Sequence, residues 1–129
     1  DRILDQLDQV RRLGVALSFD DFGTGFASLN LLRSFPVNCI KIDKSFVMGL
    51  DSRPDDTVIV RSAIEIGHNM GLVVIAEGVE QAGSLEILQR LHCDMVQGYF
   101  FSKPIPAEEF RRWHDDFRAS APERSEALA

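Results

Sequence analysis

The sequence is poor in residues that staple a fold or anchor it to a membrane. It has two cysteines, Cys39 and Cys93, too few for a disulfide framework, and both lie in apolar stretches. They read as small buried thiols of a reducing, cytoplasmic compartment. No run of about 18 apolar residues is present, so no membrane segment is expected. Positive charge is in deficit: 14 Lys and Arg stand against 20 Asp and Glu, a net charge of −6. That excludes a broad basic face, and no DNA binding is expected. An anionic substrate can still be held if a metal cation inverts the local field. The three histidines, His68, His92 and His114, have no i, i+4 partner, and no Ser/His/Asp arrangement is present. They read as surface or packing residues. There is no low-complexity segment and no internal linker, and no signal peptide is expected. Asp1-Arg2-Ile3-Leu4-Asp5 reads as the middle of a helix, so the chain is expected to start inside a domain.

What is present is ordinary for a folded soluble chain: 129 residues, 45% hydrophobic and 26% charged, one domain or a piece of one. Apolar periodicity predicts helices over 2–13, 26–34, 55–70 and 81–91, and a final helix opened by Pro106. Ile3, Leu7 and Val10 are expected on one face of the first, Ile59, Ala63, Ile66 and Met70 as the buried stripe of the long helix, Leu85, Leu88 and Leu91 inward, and Phe110, Trp113 and Phe117 on one face of the last. Short apolar runs predict strands over 15–19, 37–43, 72–76 and 94–97. After about Arg118 the composition turns to Ala, Ser, Glu and Arg, and 119–129 reads as a disordered tail. Strand–helix alternation implies an α/β fold with a parallel sheet wrapped by helices.

Strands covered on both faces should be apolar to their ends. Here each ends in polar groups: Asp20-Asp21, then Lys41 and Asp43, then Glu77 and Glu80, then Gln97. All lie at C-terminal ends, the face on which β/α barrels and open parallel sheets build their sites. Carboxylates gathered in a cleft need cations or raised pKa values, and Asp, Glu and Gln oxygens are hard ligands suited to Mg²⁺ or Mn²⁺. Carboxylates, a lysine and hard metals together suggest phosphoester hydrolysis. Adjacent Asp20 and Asp21 serve one site only if the chain turns at Asp21, which Phe22-Gly23-Thr24-Gly25 permits. A plain turn and helix cap is the competing reading. Asp43 reads as half of a strand-end ion pair, and Glu80 as either a helix cap or a supporting residue. The run Tyr99-Phe100-Phe101 reads as core, with an edge able to stack on a base. Asp21-Phe22-Gly23 is not a kinase motif, since no catalytic or glycine-rich loop accompanies it.

Asp20-Asp21-Phe22-Gly23-Thr24-Gly25 with Ser28-Leu29, then Ile40-Lys41-Ile42-Asp43-Lys44-Ser45-Phe46-Val47, then Ala76-Glu77-Gly78-Val79-Glu80, then Gln97-Gly98-Tyr99-Phe100-Phe101-Ser102-Lys103-Pro104, closely resemble the EAL domain family. The four motifs stand in the family's order over roughly residues 1–115. The resemblance implies a phosphodiesterase that linearises cyclic di-GMP on a variant TIM barrel, with two Mg²⁺ or Mn²⁺ ions at the C-terminal face. It implies that Asp20 bridges the metals and that Asp21 and Glu77 bind the second. Lys41 then holds the attacking water or phosphate, with Glu80 a supporting catalytic residue and Gln97 a substrate contact. The loop from Phe22 to about Ser28 corresponds to one linking the metal site to a homodimer interface. Phe26 and Ala27 stand there where Tyr and Ser are usual.

The departure is at the start. The Glu-Ala-Leu motif expected upstream of Asp20 is absent, with the Asn and Glu that complete the first metal site. A TIM barrel takes about 250 residues. The expectation is therefore residues 1–118 as the C-terminal half of an EAL domain: four βα units of a (β/α)8 barrel, with upstream regulatory domains in the full-length protein. Such a half exposes two strand edges and is expected to self-associate, with weak or no activity alone. A non-catalytic cyclic di-GMP receptor and a purely structural product are the alternatives.

Overall fold

The computed structural model describes residues 2–25 and 28–120. The order is α1 (Arg2–Arg12), β1 (Ser18–Phe22), α2 (Ser28–Ser34), β2 (Cys39–Ile42), α3 (Lys44–Val47), α4 (Pro54–Asn69), β3 (Val73–Glu77), α5 (Ala82–Arg90), β4 (Met95–Gln97) and α6 (Ala107–Ser120). The four strands form one parallel sheet in sequential order, β1-β2-β3-β4. Sequential parallel strands with helical crossovers are the repeating unit of a β/α barrel. None of the described helices is long and apolar enough to cross a membrane.

The core lies between the sheet and its helices. Ile40, Ile42, Val74 and Ala76 point to that side and are fully buried, against Val60, Ile64 and Leu88. The other strand positions face away from the helices, toward what would be the axis of a barrel. Register aligns them in rows: Ser18, Cys39 and Val73 in one, then Lys41, Ile75 and Met95, then Glu77 and Gln97. This face is apolar at its lower end (Cys39, Val73, Ile75, Met95) and polar at its C-terminal end.

Several expectations are corrected. The first strand is Ser18–Phe22, not 15–19, so Asp20 and Asp21 lie inside it rather than after it. The apolar Val15-Ala16-Leu17 precedes the ladder; Leu17 instead ties the start of β2, accepting from the Asn38 and Cys39 amides and donating to Asn38 Oδ1. In α4 the inward residues are Val60, Ala63, Ile64 and Gly67, while Ile59 and Met70 are exposed. Gly67 decides the phase. A methyl group there would lie 2.5 Å from Val74 Cγ2 and 3.0 Å from Ile40 Cδ1, so the helix meets the sheet on its glycine side. No residue of α1 or α6 is buried, but Phe110, Trp113 and Phe117 do share one face, Trp113 lying against both other rings and Phe117 reaching Phe101 edge-on. Helix α6 runs to Ser120, two residues past the compositional boundary. Phe26, Ala27 and 121–129 lie outside the described residues.

Candidate metal centre

Each site residue is placed by a local backbone event. Between Phe19 and Phe22 the register slips, so Asp20 and Asp21 together oppose the single Lys41 of β2. This is a β-bulge, and Asp21 adopts the left-handed conformation, φ 54°. Aspartate tolerates that region better than most residues. The Asp21 amide donates to Asp20 Oδ1 at 2.9 Å, and its carbonyl accepts from the Thr24 amide and hydroxyl at 3.2 and 2.8 Å. Gly23 follows at φ 100°. The chain does turn at Asp21, and two adjacent carboxylates reach one place.

Glu77 closes β3. Gly78 follows at φ 77°, and a Cβ there would lie 2.5 Å from Lys44 Cβ. Glycine therefore lets the chain leave the strand tight against α3. Asp20, Asp21 and Glu77 each bring one carboxylate oxygen within 4.8 Å of the other two. Lys41 stands between them: its Nζ lies 2.5 Å from Glu77 Oε1 and 3.9 Å from Asp20 Oδ1. The Glu77 side chain is only 18% exposed, so an unpartnered charge there would be costly, and the Lys41 ammonium offsets it. Hydrogen bonding to Glu77 holds the Lys41 pKa above its ordinary value, and the Glu77 and Asp20 charges add to this. The Asp21 carboxyl is also raised, first by the charge of Asp20. Crowded carboxylates of this kind are relieved by a divalent cation, and an all-oxygen donor set suits a hard one.

The other named residues are placed differently. Gln97 pairs with Glu77 across β3 and β4 and is exposed on the same face. It borders a groove of about 350 Å³ that runs past Tyr99 and Lys103 to Trp113. Glu80 is exposed, lies outside the carboxylate cluster and does not cap α5, whose N-cap is Gln81 with no side-chain bond. Asp43 is not in an ion pair but caps α3, accepting from the Ser45 amide at 2.9 Å, and bonds to Ser45 lower its pKa. The sequence reading missed α3 altogether. A single turn has no periodicity, and Asp43 followed by Ser45 was the available cap signal.

Gly98 clamps the two loops together. A Cβ on it would fall 2.0 Å from the Val79 carbonyl oxygen. Val79 donates to Gln97 O at 3.1 Å and accepts from the Phe100 amide at 3.0 Å. The 77–80 and 97–100 segments are thus held as one piece. At the opposite end of the sheet, His68 is not isolated. Its Nε2 lies 2.9 Å from Asp94 Oδ2, which also accepts from the Val74 amide at 2.8 Å. Cys39 and Cys93 are unpaired and half-buried, and burial pushes the Cys93 thiol up to about 11.

The EAL domain family model matches residues 1–104. The cyclic di-GMP phosphodiesterase NbdA of Pseudomonas aeruginosa is 43% identical over 128 residues, which is 97% of this chain and 16% of NbdA. The oxygen sensor protein DosP of Escherichia coli is 46% identical over 86% of this chain and 14% of its own length. The chain thus spans less than a fifth of these relatives. Among solved structures, the EAL domain of Mycobacterium smegmatis DcpA superposes with a TM-score of 0.84 at 40% identity, covering 88% of this chain and 51% of that one. The manganese and cyclic di-GMP complex of Klebsiella pneumoniae BlrP1 superposes at 0.74 with 34% identity, covering 81% of this chain and 26% of that one. With the matched motifs lying on the carboxyl ends of four sequential parallel strands, the chain belongs to the EAL domain family.

Proposed function

We propose that these residues carry part of the active site of a metal-dependent phosphodiesterase that hydrolyses cyclic di-GMP to linear pGpG. The convergence of Asp20, Asp21 and Glu77 around Lys41 carries this reading. NbdA is a cyclic di-GMP phosphodiesterase, and BlrP1 binds manganese together with the dinucleotide, which supports the substrate and the metal class. Asp20, Asp21 and Glu77 would hold the divalent cations, Asp20 contributing to both and Asp21 and Glu77 to the second. Two Mg²⁺ or Mn²⁺ ions would supply an activated water and stabilise the leaving oxygen. Lys41, which pairs with Glu77 and Asp20, would hold the attacking water or a phosphate oxygen. Gln97 and the groove beside it receive the nucleotide, and exposed Tyr99 offers a ring to a base. Glu80 supports the site from its rim.

The chain is read as the C-terminal half of the domain, consistent with four sequential strands and with its covering about half of the DcpA EAL domain. The ligands of the first metal, named by the resemblance, belong to the other half. A Glu-Ala-Leu triplet does occur at 126–128, but it follows the last motif instead of preceding the first. The intact protein is read as cytoplasmic at this domain, joined to upstream regulatory domains, and dimeric through the loop that follows Asp21.

The test is hydrolysis of cyclic di-GMP with Mg²⁺ or Mn²⁺, in the intact domain and in this chain. Asp20→Asn and Glu77→Gln are each expected to abolish turnover in the intact domain, and this chain alone to be weak or inactive. Full turnover in both variants would overturn the metal assignments. Tight binding of the dinucleotide by the intact domain without hydrolysis would make it a receptor.

A further inference from the structure

We propose that Phe46 is a positioning residue for the metal centre: its ring backs the turn that presents Asp21, while the same helical turn, α3, backs the turn that presents Glu77. The proposal rests on reading Asp20, Asp21 and Glu77 as metal ligands. A phenyl ring offers no ligand atom, so Phe46 acts through the backbone against which it packs.

Three observations carry it. First, α3 leaves β2, and in the sheet β2 lies between β1 and β3, the strands that bear the carboxylates. Its neighbours are therefore the loops leaving those two strands. Second, α3 meets both loops at glycines. A Cβ on Gly23 would lie 2.8 Å from Phe46 Cε2 and 3.4 Å from its Cζ. A Cβ on Gly78 would lie 2.5 Å from Lys44 Cβ and 3.4 Å from Met48 Cγ. Lys44 and Met48, four residues apart, share one side of the turn, and Phe46 stands about 200° around from Lys44. One turn of helix thus separates the two loops and touches each. Third, this wedge is itself fixed. Val47 and Leu50 are buried in the core, the Asp43 side chain accepts from the Ser45 amide, and the Asp43 amide donates to the Phe22 carbonyl oxygen at 3.5 Å.

Asp21 is the residue that most needs such a backing. At φ 54° a non-glycine residue stays only where its surroundings hold it. The Thr24 bonds hold the turn from within, and Phe46 closes it from the β2 side. Without the ring, Gly23 is free to swing and Asp21 to leave the left-handed region, which takes its carboxylate away from Asp20 and Glu77.

The test is Mn²⁺ affinity, measured by calorimetry on the intact domain without substrate, beside thermal melting. Phe46→Ala is expected to weaken Mn²⁺ binding about 10–100-fold, the range for residues that orient metal ligands. Ile64→Ala, a core truncation in α4, is expected to lower the melting temperature at least as much and to leave the affinity unchanged. Equal affinity losses in the two variants would reduce Phe46 to a stability role and overturn the proposal. Phe46→Leu keeps an apolar side chain in the core but takes the ring from Gly23. If Phe46→Ala does not fold, Phe46→Leu decides: weakened binding supports the proposal, and parental binding overturns it. Mn²⁺ binding that Asp20→Asn leaves intact would refute the metal reading and this proposal with it. Binding lost in Asp20→Asn but kept in Phe46→Ala would refute the positioning role alone.

Discussion

On the helix side of the sheet, Ile40, Ile42, Val74 and Ala76 are fully buried; the axis side carries exposed Val73 and Met95 and the charged Lys41 and Glu77. The same strands supply both faces, because successive side chains point in opposite directions. The helix side is packed: these residues belong to one core cluster with Val60, Ile64 and Leu88. The axis side is charged at one end and bare at the other. Stability is therefore concentrated on one face and chemistry on the other, and substitutions should separate them.

The largest expected effect is on the packed face. Ile40→Ala leaves a cavity between β2 and α4 and is expected to cost about 2–5 kcal/mol in denaturant unfolding. Met95→Ala, at an exposed position on the axis side, should cost under about 0.5 kcal/mol. Equal losses would mean that both faces are packed. Gly98→Ala comes next. Its methyl group cannot coexist with the Val79 carbonyl, so the two loops must part, at about 1–3 kcal/mol. Because these loops hold Glu77 and Gln97, Mn²⁺ affinity measured by calorimetry should fall as well. Lost stability with unchanged affinity would show that the clamp serves the fold alone. A smaller loss than that of Gly98→Ala is expected at Asp43. Asp43→Ala removes the α3 cap, at about 1 kcal/mol. Bonds to Ser45 hold the Asp43 carboxyl below its ordinary value, so the folded chain binds this proton less readily than the unfolded one. The cap's contribution is present at neutral pH and is lost as pH falls below about 4. The gap in melting temperature between parent and variant should therefore narrow on acidification.

The sequence was most legible where short apolar runs stand between turns. The runs 37–43, 72–76 and 94–97 announced parallel strands, and the polar residues at their ends announced the site, because an apolar strand leaves few other reasons for Glu77 or Lys41. It was least legible where one contact chooses among equivalents. Helix α4 carries Val58, Ile59, Val60, Ile64 and Ile66, enough apolar residues for more than one stripe, and the close approach at Gly67 selects the one used. The His68–Asp94 pair joins residues 26 apart, through a strand crossover that no local pattern reveals. The first strand was placed early because Val15-Ala16-Leu17 is apolar, while the ladder was set by the pairing of Ser18 and Phe19 with β2.

The bulge at Asp20-Asp21 amounts to a change of parity. Along a regular strand, odd and even positions belong to opposite sides, and a carboxylate is gained on one side only by skipping a residue. The single extra residue between Phe19 and Phe22 resets the count, so both phenylalanines stay on the helix side, paired with Ile40 and Ile42. Two consecutive acids are thereby freed for the opposite side. Deleting one of them would restore a regular ladder and keep the core, yet halve what this strand contributes to the centre. The spacing of the charges is written in the length of the strand as much as in the identity of its residues.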